Sequence, residues 1–232
     1  MEFKDLYNLS ETWIAGRIAD ESKTVAAPII HLKRELIAKV GWIEDINFWP
    51  VKCIEGDPLA HYELHGNRQS RWDDDDAWVV LIAYDAALSE DNENDNERFV
   101  WAKELMHIFD TEDGQVDDAV KFGSLLYQIE MQPPPEERTE VYWAENAALW
   151  KALLILCPKK YRDEQKAKYE NGDISEYDVA AYFRIPSKKF QCKIGVNKLP
   201  MHKRTMIISL LVEGMSITKF LGHAPQCDRR GR

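Results

Sequence analysis

The sequence predicts an α+β domain in which a small mixed or antiparallel sheet packs on several helices. Residues 59–65 alternate polar and apolar side chains, and residues 78–84 form a continuous apolar run of strand length. Beyond them, each periodic segment has helical spacing and is punctuated by caps, glycine or proline. A chain of 232 residues, 45% of them hydrophobic, can bury one good core and carry a small appendage.

Residues 1–40 read as a helical lead, in which Pro28 opens a helix running through Leu32, Leu36 and Ile37 and stopping near Gly41. The alternation of residues 59–65 suits a half-exposed strand, and Gly66-Asn67 is a turn signal. Residues 78–84 lack polar alternation, the pattern of a strand buried on both faces. Residues 73–76 and 90–97 are acidic and poor in apolar side chains, and read as exposed loops. A helix should begin near Glu97, with Ala102, Leu105, Met106 and Phe109 on an apolar stripe and Lys103 beside His107 on a neighbouring face. A second helix covers residues 117–129. Pro133-Pro134-Pro135 then breaks the chain, and a longer helix from about Thr139 ends at Pro158. Residues 159–170 form a polar helix closed by Asn171-Gly172. Ser175 and Asp178 make a capping box for a last helix that stops before Pro186. The organisation is therefore an N-terminal helical lead (1–45), a main domain (46–186) and a basic C-terminal extension (187–232).

The formal charge is −10, unevenly distributed: from Ser187 onward ten Lys or Arg face only Glu213 and Asp228, a net +8 that leaves −18 for residues 1–186. The expected arrangement is a basic tail packed against an acidic body. A nucleic-acid arm is the competing reading, set second because a charge run is usually a solvated or self-paired surface, and the overall −10 argues against general nucleic-acid binding, which needs a basic surface. Residues 207–217 have a faint helix-turn-helix character, but Gly222 and Pro225 break the chain too soon for a reading helix. Cys53, Cys157, Cys192 and Cys227 form no C-x-x-C pair and read as reduced thiols. The longest apolar run, residues 147–157, is interrupted by Lys151 and is about half of the ~20 residues a bilayer span needs, so no membrane helix is expected. The N-terminus lacks a basic start followed by an apolar stretch, and a cytoplasmic protein is expected.

The pattern that carries chemistry is Lys103-Glu104-Leu105-Met106-His107, an H-E-x-x-H motif with lysine in place of the first histidine. An intact motif sets two imidazoles one helical turn apart to hold zinc, with the glutamate as general base for the metal-bound water. Here an ammonium group points at the metal position.

Residues 97–185, with the strand before them, resemble the IrrE/ImmA family of H-E-x-x-H metallopeptidases. Three patches carry the resemblance. The first is the buried strand 79–84 with Leu88, then Arg98-Phe99 and Ala102 to His107, where the family has phenylalanine and then Ala-His-Glu-Leu-Gly-His. The second is Glu145 with Ala148, Ala152 and Pro158, matching a metal-binding glutamate, an alanine three residues on, a Phe-Ala pair and a closing proline. The third is residues 175–185 with Val179, Ala180 and Phe183, matching a short helix that ends in F-x-V-S. Lys103, Met106 and Lys151 depart from the family's histidine, glycine and phenylalanine. The resemblance implies a zincin-like fold, with Glu104 as catalytic base, His107 and Glu145 as zinc ligands, and Lys103 at a degenerate ligand position. It also implies a role in phage, mobile-element or stress regulation, with a helix-turn-helix repressor as partner.

Two ligands are fewer than the three a catalytic zinc keeps. Lysine ligates only when neutral, and stripping its proton at pH 7 costs about 4 to 5 kcal/mol. Protonated Lys103 between Glu104 and Glu145 neutralises both carboxylates without metal, so no cofactor is expected, and zinc only if the protein is active. A replacement ligand could come from His61, Glu63 and His65, which share one strand face, although a plain polar strand surface is the expected reading. His31, His202 and His223 have no partner spacing. No phosphate loop, G-x-S-x-G elbow or Cys/His nucleophile pattern is present. The expected function is that of a pseudo-peptidase acting by binding another protein. The alternatives are an active zinc metallopeptidase cleaving a helix-turn-helix repressor, and a nucleic-acid-associated protein using its basic tail.

Overall fold

Ile43, Ile46 and Phe48 point one side of a strand toward the helices, a strand that sequence reasoning missed. It is β1 (Ile43–Val51), one of three strands in the computed structural model, with β2 (Ala60–Gly66) and β3 (Trp78–Asp85). The residues described are 2, 4–9, 29–53, 60–66, 78–90 and 95–186. Seven helices are delimited among them: α1 (Ile29–Lys39), α2 (Ala87–Glu90), α3 (Asp95–Met106), α4 (Ala119–Met131), α5 (Glu140–Leu156), α6 (Lys159–Glu170) and α7 (Glu176–Phe183). The architecture is α+β with a mixed sheet, as predicted. Pro28, residues 73–76, Asn67 and everything from Ser187 onward, including the 207–217 segment and the basic tail, lie outside the described residues.

The sheet order is β1-β3-β2, with β1 parallel and β2 antiparallel to the central β3. A register shift between Ile43 and Asp45 breaks the period of two in β1, which is why alternation did not reveal it. Pro50 is tolerated because β1 has no ladder partner on its outer side among the described residues. Phe48 stacks on Trp101 with ring centroids 4.3 Å apart, tying this edge to α3.

β3 does not bury both faces equally. Val80, Ile82 and Tyr84 are buried against the helices, whereas Val79 and Leu81 on the other face are only half-buried. On that second face Ala83 is buried as well, and among the described residues the helices lie on the inward side of β3. The inward face joins Leu6 and Tyr7, Leu32 and Leu36 of α1, Phe99, Ala102, Leu105 and Met106 of α3, and most of α5 in one core cluster.

Local chemistry sets the helix ends. The Asp118 carboxylate accepts from Lys121 N at 2.7 Å and caps α4, and Gln132 closes that helix in the left-handed region (φ 48°) before the three prolines. Thr139 caps α5, and the predicted capping box of Ser175 and Asp178 opens α7. The predicted acidic loop 90–97 needs correction: α3 starts at Asp95, and Glu97 is buried on it. Arg98 donates to the carbonyls of Phe183 and Arg184, and Arg184 Nε donates to Asp95 Oδ1 at 3.0 Å, so the end of α7 is stapled to the start of α3. Among the described residues no helix is long and apolar enough to cross a membrane. Burial pushes the thiol of Cys157 up to about 12, against the pull of Arg162 and Arg98, leaving an unreactive side chain.

Candidate functional site

The α-helical geometry of α3 ends at Met106, and residues His107–Phe109 tighten into a 3-10 turn. The packed face of α3, with Ala102 fully buried, lies against α5, where Ala148 is equally buried; small side chains let the two helices approach. Lys103, Glu104 and His107 on α3 and its 3-10 extension therefore meet Glu145 on α5, as the sequence reading required.

Lys103 Nζ donates to Glu104 Oε1 at 2.9 Å and lies 2.7 Å from Glu145 Oε1. His107 Nε2 lies 3.3 Å from Glu145 Oε2 and 3.9 Å from Glu104 Oε2. On the other side of the ring, His107 Nδ1 is 2.6 Å from Asp110 Oδ2, and Asp110 Oδ1 is 3.6 Å from Lys151 Nζ on α5. Six side chains thus alternate in sign, Glu104, Lys103, Glu145, His107, Asp110 and Lys151. Buried ions are tolerated only when each has opposite charges and hydrogen bonds in reach, and this chain supplies both.

The protonation states follow from the same contacts. Burial opposes the charge on Lys103, but Glu104 and Glu145 outweigh it and raise its pKa above the ordinary lysine value. Burial likewise opposes the imidazolium of His107, yet hydrogen bonds to Asp110 and Glu145 raise its pKa to about 9 against the repulsion of Lys103. Glu145 is desolvated, but the Lys103 charge and the His107 hydrogen bond hold its carboxyl well below the usual range. Lys151 is pushed down by burial, only partly restored by Asp110. At neutral pH His107 is therefore a cation.

This donor set does not fit zinc. A catalytic zinc keeps three protein ligands, and only His107 and Glu145 remain at this position, with His107 also having to give up a proton that Asp110 and Glu145 favour. The position of the first ligand is taken by an ammonium group whose proton is held more tightly than usual. Glu104 accepts from that ammonium and serves as its counter-ion.

His61, Glu63 and His65 share a face of β2, as the alternation implied, but they turn to one another: Glu63 Oε1 is 2.7 Å from His61 Nε2 and Oε2 is 2.8 Å from His65 Nε2. Strand parity sends Tyr62 toward the site instead, its ring centroid 6.1 Å from that of His107. The three residues are thus not brought to Lys103 and His107 as replacement ligands. The Tyr62 hydroxyl is buried without a partner among the described residues, and burial with the nearby Asp110 charge raises its pKa above the usual tyrosine value.

Sequence reasoning missed Asp110, Tyr62 and the role of Lys151. Signals for two of them were present. Asp110 follows His107 by three residues, within reach on a helical turn, and Lys151 is the one charge inside the apolar run 147–157, a position that demands a buried counter-ion. Comparison of the chain with family models, with curated proteins and with solved structures gives no match.

Proposed function

We propose that the chain is a metal-free pseudo-peptidase with a zincin-like arrangement, acting by binding another protein rather than by cleaving it. The observation that carries this reading is Lys103 Nζ, 2.9 Å from Glu104 Oε1 and 2.7 Å from Glu145 Oε1. A fixed cation between these two carboxylates does the neutralising that a divalent metal would otherwise do. The surroundings support the same reading: a helix bearing Glu104 and His107 packs between a mixed sheet and a second helix bearing Glu145. The likeness to IrrE/ImmA metallopeptidases makes a helix-turn-helix repressor the partner to test first. Its binding would exploit a surface shaped for a substrate while the chemistry is disabled.

The test is metal analysis of the purified full chain, with zinc titration, beside a binding and cleavage assay on a helix-turn-helix repressor. Well under one equivalent of metal and binding without proteolysis are expected. Stoichiometric zinc held through His107 and Glu145, or cleavage abolished by Glu104→Gln, would overturn the reading.

A further inference from the structure

Helix α6 opens with Pro158 at its N-cap position, and a proline side chain offers no acceptor to the N–H groups of the first turn. No acidic residue stands in that turn; Lys159 and Lys160 do, and Arg162 follows. Three cations therefore gather at the end of the helix that its dipole already makes positive, which is unfavourable unless an anion offsets them. Lys159 is taken up by Asp163 on the next turn. Lys160 is exposed, with its Nζ 5.4 Å from the centre of the Tyr161 ring.

A second observation lies on the inner side of the same turn. Arg162 is only 6% exposed, and its Nη1 is buried without a hydrogen-bond acceptor. Among the described residues no carboxylate pairs with this guanidinium. Long side chains on a helix lean toward its N-terminal end, and the Arg162 charge bears on the thiol of Cys157, one residue before the cap. Arg98 reaches the same thiol from the start of α3, but its guanidinium donates to the carbonyls of Phe183 and Arg184. A buried charge is costly unless an opposite charge meets it, and for Arg162 the described residues supply none. This corner is apart from the ion-pair chain: Cys157 follows Glu145 by twelve residues, about 18 Å along α5.

We propose that the N-terminal turn of α6 binds a phosphate-type oxyanion, held by Arg162 from the inner side, by the N–H groups of Lys160 and Tyr161 from the helix end, and by the Lys160 ammonium from the solvent side. The planar guanidinium offers paired donors that match two oxygens of a phosphate, and Lys160 adds a point charge. Free phosphate and the terminal phosphoryl group of a small molecule present the same chemistry.

The experiment is equilibrium dialysis of the full chain against radiolabelled inorganic phosphate, with ionic strength held constant by chloride. One saturable equivalent is expected. Arg162→Met keeps the length of the side chain without its charge and should weaken binding at least about tenfold, the loss of a charge-assisted hydrogen bond. The same variant should not lower the thermal midpoint in phosphate-free buffer, because it removes a buried charge that lacks a partner. Lys160→Gln, at an exposed position where the core is untouched, should weaken binding about threefold. Displacement of the label by phosphoserine assigns the site to a phosphoryl group on a larger molecule, and its retention to the free ion. No saturable binding, an affinity unchanged in Arg162→Met, or a lowered midpoint of that variant in phosphate-free buffer would each overturn the proposal.

Discussion

Glu145 divides its two oxygens between Lys103 and His107, at 2.7 Å and 3.3 Å, so one carboxylate serves two cations from successive turns of the motif segment. Lys103 in turn holds Glu104 at 2.9 Å, which makes it the shared counter-ion of one buried acid, Glu104, and one half-buried acid, Glu145. Lys103→Met should therefore leave Glu104 with no cation within 3.5 Å and Glu145 with His107 alone. Breaking a fully buried pair costs about 3 to 5 kcal/mol and an exposed one under ~1, so the partly buried Lys103 should fall between these limits. Glu104→Gln keeps the Lys103–Glu145 contact and should cost clearly less. Denaturant unfolding of both variants checks the order, and an unchanged midpoint in Lys103→Met would remove the ion pair from the account.

The pH dependence of stability follows from His107 and Glu145. His107 has a folded pKa raised to about 9, so its contribution is complete below the unfolded value of ~6.5 and is lost as pH rises through 9. The carboxyl of Glu145 is depressed, so its contribution is present above ~4.3 and is lost as pH falls toward its folded value. Stability should plateau between about pH 5 and 6.5 and decline on the alkaline side by at most ~3 kcal/mol. Urea unfolding at pH 6 and pH 9.5 measures the difference. His107→Gln should flatten the alkaline decline, and a wild-type curve already flat there would contradict a charged His107.

How much of this was legible depended on whether a contact is local in sequence. The helices announced themselves through caps and breakers, as with Ser175 and Asp178, and the motif residues through their spacing on α3. β1 was not legible because its bulge between Ile43 and Asp45 cancels the alternation that marks a strand, and because its partner β3 lies more than thirty residues away. Asp110 carried a signal in its three-residue spacing from His107, but that spacing alone does not say that the segment stays helical past Met106, where a 3-10 turn brings the pair together. Tyr62 escaped because strand parity shows which residues share a face but not which face meets α3.

Asp110 and Lys151 should separate in their effects. The Asp110 carboxylate bonds the His107 ring at 2.6 Å, so Asp110→Asn should lower the imidazole pKa from about 9 toward ~6.5, visible in an NMR titration of the ring. Lys151 is held below its usual pKa by burial and reaches Asp110 only at 3.6 Å. Lys151→Met should change stability by less than about 1 kcal/mol or raise it, since an apolar side chain relieves the desolvation and Asp110 keeps His107. A loss as large as that expected for Lys103→Met would mean that Lys151 is a full member of the ion-pair chain.

Restoring the motif tests whether the scaffold has kept a metal geometry. Lys103→His removes the ammonium and offers an imidazole one turn from His107, with Glu145 already between the two positions. Zinc must still displace the proton on His107, which at pH 7 opposes binding by about two pKa units, or ~3 kcal/mol. Zinc affinity of this variant should therefore exceed that of the unaltered chain and rise about tenfold per pH unit from pH 7 toward 9. Isothermal titration at pH 7, 8 and 9 measures the slope. A gain independent of pH would mean that His107 is already neutral, and no gain at any pH would mean that the site has drifted beyond its missing ligand.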